Sequence, residues 1–132
     1  KLLLGQNTSS LFSRKTATVN PLTIAEEHIE NINLDTFISD ALAQKNYRLA
    51  IRYMYLKALK ELSYYNIIAW HFEKTNSDYH NEIKDPLLKD NFKQVSYLYD
   101  YVWYGEFDLD EIGFINAQKD FERLTKELKN AG

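Results

Sequence analysis

The chain of 132 residues contains no cysteine. That excludes a disulfide-stapled fold, a thiolate zinc site and a cysteine nucleophile. Proline and glycine are scarce, at 2 and 4 residues, and this excludes collagen-like and linker-like classes for the chain as a whole. No apolar run approaches the roughly 20 residues of a membrane-spanning helix. Neither sign of charge is in large excess. Lys+Arg is 16 and Asp+Glu is 19, a formal charge of −3, which suits non-specific nucleic-acid binding poorly. What is abundant is apolar and aromatic mass: 45% of residues are hydrophobic and 14% aromatic, with 10 Tyr, 7 Phe and 2 Trp. A chain of this length has room for one domain, which buries about two thirds of its unfolded surface.

The N-terminal stretch differs from the rest. Residues 5–20 are rich in Ser, Thr and Asn and read as a flexible, juxtamembrane-like linker over residues 1–20. The chain opens on Lys1 rather than Met, and Lys1-Leu2-Leu3-Leu4-Gly5 is too short for a secretory signal. Two readings are open: the tail of a preceding membrane helix, or a trimmed chain end. If a membrane helix precedes, Arg14 and Lys15 favour a cytoplasmic location for the domain. From residue 21 to 132 the pattern is that of a single helical domain.

The helices are marked by periodicity and by caps. Pro21, with Asn20 before it and Glu26 and Glu27 after it, predicts a short first helix. Asp35 is expected to cap a helix running to about Gln44, with Leu34, Phe37, Ile38, Ala41 and Leu42 on one face. Tyr47, Ile51, Met54, Ala58 and Leu62 form the stripe of a long helix ending near Tyr65. Leu49, Tyr53, Tyr55, Leu56 and Leu59 widen that stripe, so this helix is expected to be central. Asn66 suits a left-handed terminator. Residues 67–72 read as an extended connector against the helices, since no second strand exists to pair with them. Thr75 and Asp78 form a capping-box pattern for a short helix to about Ile83. Asp85-Pro86 opens the next helix, with Leu88, Phe92, Val95, Tyr99 and Val102 inward and Gly105 as the stop. Asp108 is expected to cap the last helix, whose Phe114, Phe121, Leu124 and Leu128 face the core. The fold class is all-α, a compact bundle of about five helices.

From Ala41 to Leu62 the sequence ALAQKNYRLAIRYMYLKALKEL resembles a tetratricopeptide helix-turn-helix, with small residues where two helices meet. No second copy is visible, so one tetratricopeptide-like hairpin within the bundle is expected. A wider resemblance covers most of the chain after residue 30. The helix NYRLAIRYMYLKALKEL, then Trp70 with Lys74-Thr75-Asn76 and Tyr79 after it, then Val102-Trp103-Tyr104-Gly105, resembles the bacterial domain-of-unknown-function family 4129. Phe72-Glu73 stands where that family usually has a proline. The resemblance implies a cytoplasmic domain of a bacterial inner-membrane protein with no known activity, and it favours the membrane-tail reading of Lys1 to Gly5. Such proteins are often encoded beside AAA-type ATPases, von Willebrand A-like proteins and transglutaminase-like proteins. The implied partner is therefore a protein of that kind.

Candidate chemistry is sparse. His71 and His80 are nine apart and His28 is distant, a spacing that suits no metal, and no cofactor is expected. Glu106, Asp108, Asp110 and Glu111 lack the glycine-centred loop of an EF-hand, and they suit a helix N-terminus electrostatically. Tyr97, Tyr101 and Tyr104 fall on a different side of their helix from Tyr99 and Val102, either as extra core or as a contact surface. Arg48 and Arg52 share a stripe on the basic stretch Lys45 to Lys60, while the sign reverses over residues 100–122. They either pair with those carboxylates or present a docking face for an acidic partner or anionic lipid headgroups. The preferred reading is a non-enzymatic protein-interaction domain that contacts its partner through Arg48, Arg52, Trp70, Lys74, Thr75, Asn76, Tyr79 and Tyr104. The alternatives are an enzyme using Glu106, Asp108 or His71, or a peptide-binding tetratricopeptide-like module with a concave groove.

Overall fold

The computed structural model describes residues 33–105 and 108–131. The expected linker over residues 1–20, the short helix at Pro21 and the positions of His28 and Glu106 lie outside the described residues. Within them are five helices and no strand: α1 (Leu34–Ala43), α2 (Tyr47–Tyr64), α3 (Asn76–Glu82), α4 (Pro86–Tyr104) and α5 (Glu111–Ala131). The all-α bundle is as the sequence predicts.

Helix α2 is the centre. It packs against α1, α4 and α5. It buries Ala50, Ile51, Tyr53, Tyr55, Leu56, Ala58, Leu59 and Leu62, which wrap most of its circumference. Facing them are Leu88, Phe92, Val95, Tyr99 and Val102 of α4 and Phe114, Ala117, Phe121, Leu124 and Leu128 of α5. The short helix α3 leans on α4 and contributes the buried Tyr79.

Both ends of α2 show how local chemistry ends one element and starts the next. After α1, Lys45 adopts φ 56°. Its N–H donates to the Leu42 carbonyl at 2.9 Å and the Asn46 N–H donates to Ala41 at 2.8 Å. That is a Schellman turn with lysine in the position that glycine usually fills. Asn46 then caps α2, its Oδ1 accepting from the Leu49 N–H. The same turn recurs after α2. Asn66 takes φ 60°, and the Asn66 and Ile67 N–H groups donate to Ser63 and Leu62. Asn66 tolerates the left-handed region because its short polar side chain costs little there.

Two cap assignments are corrected. Asn33, not Asp35, caps α1: its Oδ1 accepts from the Asp35 N–H at 3.1 Å. Starting two residues earlier brings Leu34 into the helix, where it is buried. Asp35 lies in the first turn and pairs with Lys57 of α2 at 2.7 Å. Asp110, not Asp108, caps α5, its Oδ1 accepting from the Gly113 N–H at 2.8 Å. The shift lets half-buried Leu109 fold back over the first turn. A Cβ at Gly113 would stand 2.7 Å from Leu109 Cδ1, so the absence of a side chain there makes the room.

Candidate functional site

The residues from Ile67 to Thr75 contain no helix or strand. This connector is therefore held by side chains rather than by a backbone ladder, and its hydrogen bonds show which ones. Glu82 of α3 accepts from the Ala69 N–H at 2.8 Å. Lys74 Nζ donates to the Ala69 carbonyl at 2.5 Å and to Glu82 Oε2 at 2.6 Å. The Tyr79 hydroxyl donates to the His71 carbonyl at 2.6 Å and accepts from the His71 N–H at 3.1 Å. Thr75 caps α3 in a full capping box with Asp78. Hydrogen bonds from Thr75 hold the Asp78 carboxyl below its usual range, and the Lys74 ammonium does the same for Glu82. The segment from Trp70 to Tyr79 thus closes on itself through its polar groups.

Asn76 ties this closed segment to the bundle. Its Oδ1 accepts from the hydroxyl of Tyr55 on α2. Its Nδ2 donates to both carboxylate oxygens of Asp100 on α4, at 3.2 Å each. Tyr55 is almost fully buried, and Asn76 supplies the acceptor for its hydroxyl. Burial, and next the Asp100 charge, push the Tyr55 phenol well above its usual range. Burial also raises the Asp100 carboxyl, partly offset by the Asn76 amide.

Beside this bridge runs a stack of rings and guanidinium groups. The Tyr55 and Tyr99 rings lie parallel with centroids 4.3 Å apart. The Tyr99 and Trp103 centroids are 6.4 Å apart. Arg48 Cζ stands 3.9 Å and Arg52 Cζ 4.4 Å from the Trp103 ring centroid. Arg52 also donates to the Tyr99 hydroxyl. Arg48 donates to the Trp103 carbonyl at 2.6 Å. That carbonyl belongs to the last turn of α4, where it lacks an intrahelical donor and the helix dipole favours a cation. The two arginines therefore lie on aromatic faces and a helix end.

Between these two assemblies lies a groove of about 540 Å³. Arg52, Trp70, Lys74, Thr75, Asn76, Tyr79 and Tyr104 all line it, although they come from α2, the connector, α3 and α4. Arg48 is the one sequence-nominated residue outside the lining, one turn away on the stack. The lining residues that the sequence did not nominate include Tyr55, Phe72, Tyr99 and Asp100. Tyr99 was legible only as core, and Asp100 carries no local signal. Phe72 and Tyr104 are 57% and 70% exposed, and Trp70 is half-buried. Tyr97 and Tyr101 are exposed on the neighbouring face of α4, so this side is surface rather than extra core.

Of the residues of the enzymatic alternative, His71 and Asp108 are described. His71 and Asp108 are exposed, and neither lines the groove. Among the described residues no three His, Cys, Asp or Glu side chains are placed to hold a metal ion. No described helix is long and apolar enough to cross a membrane. Comparison with protein-family models, with curated proteins and with solved structures finds no match.

Proposed function

We propose that the chain is a non-enzymatic protein-interaction domain and that the groove between the connector, α2 and α4 is its binding surface. One observation carries the reading. The residues nominated from three separate motifs meet along one open groove that carries the exposed rings of Phe72 and Tyr104 and the half-buried Trp70. Large exposed rings beside polar groups are the composition of interaction hot spots. The motif's polar atoms are engaged within the protein, so they shape the groove, and contact falls to Phe72, Tyr104 and Trp70. The resemblance to family 4129 supports a cytoplasmic location at a bacterial inner membrane, anchored upstream, with an ATPase or a von Willebrand A-like protein as partner.

The test is affinity capture from bacterial membranes with the wild type and with Phe72→Ala/Tyr104→Ala. Both side chains are largely exposed, so their truncation leaves the thermal transition close to that of the wild type. The expected result is loss of the captured protein. A variant that captures the same protein equally well refutes the groove as the binding surface.

A further inference from the structure

The charges that line the groove are not equally engaged. Lys74 is paired with Glu82 and bonded to the Ala69 carbonyl. Arg52 lies against the Trp103 and Tyr99 rings and donates to the Tyr99 hydroxyl. Asp100 is different. Its hydrogen-bond partner is the neutral Asn76 amide, and no described lysine or arginine is paired with it. A single Nδ2 serves both of its oxygens. An ionised carboxylate has about four lone-pair sites, so each oxygen still has one to offer.

Resting on the groove as a protein-binding surface, we propose that it accepts a partner segment carrying an arginine, whose guanidinium meets the Asp100 carboxylate while apolar neighbours rest on Trp70 and Phe72. Three features select this occupant. A planar fork of donors matches the two oxygens that remain open. The exposed Tyr104 ring, four residues on from Asp100 along α4, shares the lining with it, and aromatic faces attract a guanidinium. An acidic segment would meet an unpaired carboxylate, and the lining cations already have partners. The raised Asp100 pKa agrees with a carboxylate short of positive charge.

The experiment uses the full 132-residue chain and three capped pentapeptides. The first has an arginine between two leucines; the other two have glutamine or glutamate at that place. Binding is read from NMR shifts of the Asn76 side-chain amide and the Trp70 indole N–H. The arginine peptide should bind about fivefold more tightly than the glutamine peptide, the size of a good exposed ion pair. Asp100→Asn, which keeps the shape of the side chain, should erase that advantage and leave the glutamine peptide unchanged. Equal binding of the arginine and glutamine peptides to the wild type overturns the arginine assignment and leaves the groove as a peptide site. Preference for glutamate overturns it in favour of Arg52 and Lys74. If no peptide moves either signal at millimolar concentration, the groove reading itself fails. The wild-type comparison stands even if the Asp100 variant does not fold.

Discussion

Replacing Asn76 with alanine removes a side chain that hydrogen-bonds to both α2 and α4. Its cost is set by the groups left behind. The Tyr55 hydroxyl loses its acceptor inside a residue that is 5% exposed, and stranding a buried donor costs about 1–3 kcal/mol. Asp100 loses a charge-assisted donor, but water reaches that carboxylate, so the loss is about 1 kcal/mol. The total is roughly 2–4 kcal/mol. With a urea slope of about 2 kcal/mol/M, the unfolding midpoint should fall by about 1–2 M. Tyr55→Phe isolates the first contribution. It keeps the ring stacked on Tyr99 and removes the donor, leaving the Asn76 oxygen near water, at a cost of about 0.5–1.5 kcal/mol. In the Tyr55→Phe background, Asn76→Ala should therefore be cheaper by about 1–3 kcal/mol, and the double-mutant cycle measures that coupling. A cost below about 0.5 kcal/mol for Asn76→Ala, or additive effects in the cycle, would refute the bridge.

The remaining contacts can be tested in the same way. Arg48→Ala/Arg52→Ala removes two cation–π contacts with Trp103 and the donor to its carbonyl, and should cost about 2–3 kcal/mol in thermal unfolding. An unchanged transition would show that the stack is only a solvated face. Lys45→Gly should stabilise by about 0.5–1 kcal/mol, because relief of the left-handed backbone outweighs the added freedom of the unfolded chain; a lower melting temperature contradicts this. Stability should respond to acid in two opposed stages. Asp100 and Glu61 are raised by burial, so the native state takes up protons before the unfolded one and stability rises slightly as pH falls through their raised values. Glu82 and Asp78 are lowered, so their contribution is present above 4.5 and 3.8 respectively and is lost as pH falls through their depressed values. A monotonic decline from neutral pH would contradict the first stage.

What the sequence determined by itself was the set of elements and their ends. The Thr75–Asp78 box, the Asp85-Pro86 start, the Gly105 stop and the left-handed Asn66 each depend on partners within about five residues, so their chemistry is complete in the local string. The buried stripe of α4 was equally legible, because 3- and 4-residue spacing fixes a helix face. Where two acidic residues competed for one cap, at Asp108 and Asp110, the choice fell to a packing fact: Leu109 finds space over Gly113. The groove belongs to tertiary structure. Asn76 meets Tyr55 across 21 residues and Asp100 across 24, and Arg48 meets Trp103 across 55. Charge patterning offered the arginines either carboxylates or a docking face, and the tertiary structure adds the Trp103 ring, against which both lie. A guanidinium is planar and weakly hydrated, so it stacks where aromatic faces are offered. Which faces are offered depends on how α2 and α4 cross, and no local spacing encodes that.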